Sequence, residues 1–127
     1  MITANELVGV WVDENFGGLG PEVLILFPNE RGATDYYNPT FAGRDEFRWE
    51  LIGRGTQLRF SQYSASATPT KTYEVSFHSR ESQRILRLEF DSPGDEALGI
   101  SGGHFTCDYR LSSVSVNDYL PPDEEPA

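Results

Sequence analysis

Hydrophobic and polar residues alternate with a period of two along most of this chain, and helical spacing is nearly absent. The runs predict about eight short strands: Leu7–Asp13, Glu22–Phe27, Gly32–Tyr37, Asp45–Leu51, Gln57–Gln62, Lys71–His78, Arg84–Phe90 and His104–Leu111. Alternation is clearest in the fourth, where Phe47, Trp49 and Leu51 share one face and Glu46, Arg48 and Glu50 the other. In the first, Leu7, Gly9, Trp11 and Asp13 lie opposite Val8, Val10 and Val12. The second is apolar on both faces from Val23 onward. Gly, Pro, Asn and Ser separate the runs, as turns require.

The connections alternate in length. Glu14–Pro21, Asn38–Arg44, Tyr63–Thr70 and Asp91–Gly103 are long, whereas Pro28–Arg31, Gly53–Thr56 and Ser79–Gln83 are short. Successive loops of a meander fall at alternate ends. The long loops therefore gather at one mouth and the tight turns close the other. The expectation is an all-β fold, an up-and-down antiparallel β-barrel of about eight strands over residues 1–113. The pattern fades over residues 114–127. From Pro121 the chain is acidic and proline-rich, which predicts a frayed tail. Loops on a rigid scaffold commonly carry binding, and the same loops can instead plug the mouth.

Composition adds limits. Eight Phe, six Tyr and two Trp among 127 residues easily supply a core. No apolar run approaches the ~18 residues of a membrane span. The N-terminus carries neither a basic nor an apolar leader segment, and the single Cys107 has no intrachain partner. These features point to a cytoplasmic protein. The net charge of −10, from 20 acidic and 10 basic residues, argues against nucleic acid and anionic membranes as partners. It serves solubility, or forms an acidic face for a basic protein partner. Lys71 is the only lysine.

Few residues suggest chemistry. By parity His78 faces outward, and His104 lies near the mouth; two histidines do not make a zinc site. Cys107 shares inward parity with Phe105 and Tyr109, so it does not pair with His104 three residues away. Asp13 shares the inward parity of Trp11. An inward carboxylate needs a partner or a raised pKa. It holds a ligand's polar group, acts as a base, or pairs with an arginine or a loop. Gly17-Gly18-Leu19-Gly20 precedes no Lys-Ser or Lys-Thr and is not a phosphate loop. Ser101-Gly102-Gly103 has no nucleophile-elbow frame. No metal or cofactor is expected.

Leu7-Val8-Gly9-Val10-Trp11 resembles the Gly-x-Trp opening of the calycin superfamily, in particular small bacterial lipocalin-like domains. The likeness extends through Ile25-x-Phe27, Gly32, Phe47-Arg48-Trp49, Leu58, Tyr73-x-Val75, Leu86-x-Leu88 and Tyr109-Arg110. It implies that Trp11 closes the barrel floor with Arg110 packed across its ring, and that the interior takes small apolar molecules. Avidin-type barrels open similarly, but the later tryptophans of a biotin site have no counterparts here.

The first functional expectation is therefore non-catalytic binding of a small apolar or amphipathic molecule. Tyr36, Phe47, Trp49, Phe60, Tyr73, Phe77 and Phe105 would give contact area and Asp13 would orient a polar group. Parity does not say whether these aromatics leave space or fill the barrel. The alternatives are a filled barrel that binds a protein partner, and an isomerase- or cyclase-type enzyme using Asp13 or His104. The chain is expected to be a monomer or a homodimer.

Overall fold

Eight strands, each hydrogen-bonded to the next, form a closed antiparallel barrel. The computed structural model describes residues 2–13, 22–37, 42–62, 70–92, 94, 96–99 and 102–119. A one-turn helix α1 (Ala4–Leu7) precedes β1 (Gly9–Asp13), β2 (Glu22–Phe27), β3 (Arg31–Tyr37) and β4 (Ala42–Ile52). There follow β5 (Gln57–Ser61), β6 (Lys71–Arg80), β7 (Gln83–Ser92) and β8 (Gly103–Leu111). Pairing of Trp11 with Leu111 and Val12 with Arg110 closes the ring. No helix among the described residues is long and apolar enough to cross a membrane.

The expected strands are all present, with shifted ends. Helix α1 takes Leu7 out of the first strand: Glu6 reaches back to accept the Thr3 N–H at 3.0 Å, satisfying a donor that a helix start leaves open. β4 begins three residues early, because Ala42 and Gly43 pair with Tyr37 and Tyr36.

The tight turns close one end. In the β6–β7 turn Glu81 and Ser82 both have positive φ, 51° and 65°. That geometry matches the twist of a two-residue hairpin. The connections β1–β2, β3–β4, β5–β6 and β7–β8 leave from the other end. Most of their residues, including Gly17, Gly18, Leu19 and Gly20, lie outside the described residues.

The closed end is a packed floor. Trp11 and Leu7 are fully buried, and the Trp11 indole N–H donates to the Leu7 carbonyl at 2.9 Å. The Trp49 indole N–H donates to the carbonyls of Phe27, at 3.1 Å, and Arg31, at 2.8 Å. Phe77 stacks on Trp11 with ring centroids 5.9 Å apart, and the Arg84 guanidinium lies 4.2 Å from the Phe77 centroid. Arg84 also pairs with Glu6 of α1 at 3.2 Å. Both indoles thus bury their rings and still satisfy their N–H groups.

Arg110 differs from its expected place across Trp11. The β8 residue opposite Trp11 is Leu111, so Arg110, one step away, faces outward. It lines a shallow outer groove with Val12, Ile85, Arg80 and Asp108.

A second apolar cluster lies outside the barrel. Val10, Ile25, Phe27 and Ala33 are buried on the outer face of β1–β3. Val116 and Tyr119 pack over them from a short 3₁₀ turn, Val116–Asp118. Val116 and Tyr119 thus tie the segment after β8 to the barrel wall. Residues 120–127 lie outside the described residues. Elsewhere on the outer wall, charges pair across strands, Arg44 with Asp35 at 2.8 Å and Arg87 with Asp108 at 2.9 Å, and along β4, where Arg44 also meets Glu46 at 3.4 Å.

Candidate functional site

Above the floor the barrel is hollow. A cavity of about 360 Å³ has Leu24, Phe47, Phe60, Tyr73, Leu88 and Phe90 as apolar walls. Volume of this order suits one small molecule. The aromatic rings form a ladder across four strands. Phe47 meets Phe60 at 4.6 Å between centroids, Phe60 meets Tyr73 at 5.3 Å, and Tyr73 meets Phe90 edge-on at 5.1 Å. One backbone position makes room for the ladder. A Cβ on Gly32 would stand 2.5 Å from Cε2 of Phe47, so the Phe47 ring lies directly on the β3 backbone.

Polar residues enter the wall toward the mouth: Glu22, Thr34, Asp45, Lys71, Cys107 and Tyr109. Asp13 stands opposite Glu22 in the β1–β2 register. The Tyr109 hydroxyl donates to Glu22 Oε2 at 3.1 Å. Burial pushes the Glu22 carboxyl above its ordinary value of 4.5. The Tyr109 hydrogen bond opposes that shift, and the charges of Asp13 and Asp45 add to it. Burial, and then the Glu22 charge, hold the Tyr109 phenol well above 10. Burial likewise raises the Cys107 thiol, helped by Asp13, Glu22 and Asp108. A thiol held protonated in this way is a poor nucleophile.

Comparison with family models, with curated proteins and with solved structures gives no match to this chain.

Of the expected contact residues, Phe47, Phe60 and Tyr73 line the cavity. Trp49 and Phe77 instead belong to the floor, where Trp49 is 2% exposed and Phe77 packs on Trp11. Tyr36 and Phe105 pair with Glu22 and Phe90 through their backbones. Their side chains lie outside the described residues. His78 and His104 stand outside the cavity: His78 contacts the Ser76 hydroxyl at 2.9 Å, and His104 contacts Asp91 at 3.1 Å. Among the described residues no group of His, Cys, Asp or Glu has metal-binding geometry.

Glu22, Asp45 and Lys71 are cavity residues missed by the sequence reading. A signal for them exists. Each sits two residues before an inward apolar residue (Leu24, Phe47 and Tyr73), so each shares its inward parity at the mouth end of its strand.

The position of Glu22 has a consequence for stability. Its folded-state pKa is raised, so between 4.5 and that higher value the folded protein binds more protons than the unfolded chain. Stability from this group therefore falls as pH rises through that window and stays low above it. Glu22→Gln removes the effect. The variant's melting temperature minus that of the parent is expected to grow more positive from pH 4 upward and to level off. Melts at matched ionic strength across pH 4–8 check this; a difference independent of pH contradicts it.

Proposed function

We propose that this protein is a lipocalin-like barrel that binds a small apolar or amphipathic molecule in its mouth, without covalent chemistry. The observation that carries the reading is the cavity of about 360 Å³ walled by the Phe47–Phe60–Tyr73–Phe90 ladder. A filled barrel would have closed around those rings, since close packing is the ordinary state of a protein interior. The raised Cys107 thiol and the outward histidines give no support to nucleophilic or acid–base catalysis at this site. One half-buried cysteine suits a reducing compartment such as the cytoplasm.

Titration with the uncharged fluorophore N-phenyl-1-naphthylamine tests the reading. Saturable binding is expected, with a Kd of about 1–100 μM for a ligand of that size. Cys107→Phe directs a ring into the empty space. It should weaken the probe by about tenfold while costing no more than about 1 kcal/mol of stability, because the ring enters a void and not a packed core. Absence of saturable binding, or a Cys107→Phe protein destabilised as a filled core would be, rules the reading out. Native mass spectrometry beside a denatured control gives the mass of any molecule carried through purification.

A further inference from the structure

The walls of the cavity are apolar, but its mouth is not neutral. Glu22 on β2 and Asp45 on β4 line it, on either side of β3. Asp13 on β1 is the cross-strand partner of Glu22. Inward positions on β1, β2 and β4 thus carry carboxylates, and Thr34 of β3 lies between those of β2 and β4. The basic lining residue, Lys71, is on β6, paired through its backbone with Phe60, and its side chain is exposed.

We propose that the ligand is an organic cation, an amine with a flat aromatic or short apolar body, whose ammonium group lies between Glu22 and Asp45 while its body lies along the aromatic ladder. This rests on the reading of the cavity as a ligand site. Three features select the charge. First, among the described residues the titratable groups of the mouth are Asp13, Glu22, Asp45, Lys71, Cys107 and Tyr109, from β1, β2, β4, β6 and β8. Those whose charges act on Glu22 are the carboxylates of Asp13 and Asp45. A carboxylate ligand would meet repulsion there, whereas an ammonium is attracted by both of these carboxylates and by Glu22 itself.

Second, the Glu22 carboxylate accepts one hydrogen bond, from the Tyr109 hydroxyl, among the described residues. A carboxylate has about four acceptor sites. An ammonium brings three donors to fill them, and removes the penalty of holding a negative charge in an apolar wall. Third, the ladder that would hold the body is made of aromatic rings, whose faces also attract cations. The net charge of −10 draws such ligands toward the protein from solution.

Calorimetric titration with 1-naphthylmethylamine and its uncharged counterpart 1-naphthylmethanol, at neutral pH, tests the charge separately from the cavity. The amine is expected to bind about ten- to a hundredfold more tightly, the scale of a charged hydrogen bond. Glu22→Gln should lower that preference by about tenfold and Asp45→Asn by a smaller factor. Because Asp45 is a second, independent variant, the test survives if one of the two fails to fold. If neither compound binds, the cavity reading fails and the cation with it. If both bind with equal affinity, or the alcohol binds more tightly, the cavity stands and the cation is overturned. A preference for the amine unchanged in both variants also overturns it, since the charge would then be read elsewhere.

Discussion

Replacing Trp11 with alanine is expected to cost about 3–5 kcal/mol and to lower the melting temperature by roughly 10–20 °C. The indole is fully buried. Its ring stacks on Phe77, and its N–H holds the Leu7 carbonyl at 2.9 Å. Truncation empties the middle of the floor and strands that carbonyl in an apolar setting. It also loosens α1, which the buried Leu7 and the Glu6–Arg84 pair at 3.2 Å otherwise tie to the barrel. That pair is largely exposed and adds little. Trp11→Phe separates the two causes, keeping most of the ring and losing only the hydrogen bond, at about 1–2 kcal/mol. Urea unfolding of both variants measures the costs. A loss below about 1 kcal/mol for Trp11→Ala would mean that the floor is held together by something else. The ligand cavity lies toward the other end, so the folded fraction of either variant should still bind the probe.

Strand number, order and inward faces were legible because they depend on a period of two, which survives without knowledge of neighbours. Depth along the barrel axis was not. Trp49 and Phe47 share a face, but Trp49 reaches the Phe27 and Arg31 carbonyls at the floor while Phe47 borders the cavity. That difference is set by register between strands, which a single strand's pattern does not contain. Arg110 is the same problem in miniature: one step of register separates the inner face from the outer groove. The N-terminal helix carried a legible mark, Thr3-x-x-Glu6, too short to compete with the alternating pattern after it. The polar half of the site was open to the rule that picked out Asp13. Glu22, Asp45 and Lys71 obey it on their own strands. Each stands first in its run, where a charge reads as a strand end rather than as part of the inner face.

A chain ending at Ser113 is expected to be less stable than one ending at Tyr119 by about 2–4 kcal/mol. Comparing these two ends isolates residues 114–119. In that stretch Val116 and Tyr119 are three apart, one helical turn, so both face the outer strip of Val10, Ile25, Phe27 and Ala33. The turn is shaped locally. The Ser115 hydroxyl accepts the Asn117 N–H at 3.1 Å, and Asp118 accepts the Ser115 N–H at 3.3 Å. Removing the segment exposes a contiguous apolar strip on β1–β3, next to the seam where β1 meets β8. Such a strip promotes association as well as unfolding. The shorter chain should therefore melt roughly 5–15 °C lower, and size-exclusion chromatography should show more self-association. Val116→Asp in the full chain tests the same contact without altering chain length, and should reproduce most of the loss. Equal melting temperatures for the two chain ends, within about 1 °C, would mean that the barrel wall needs no cover there.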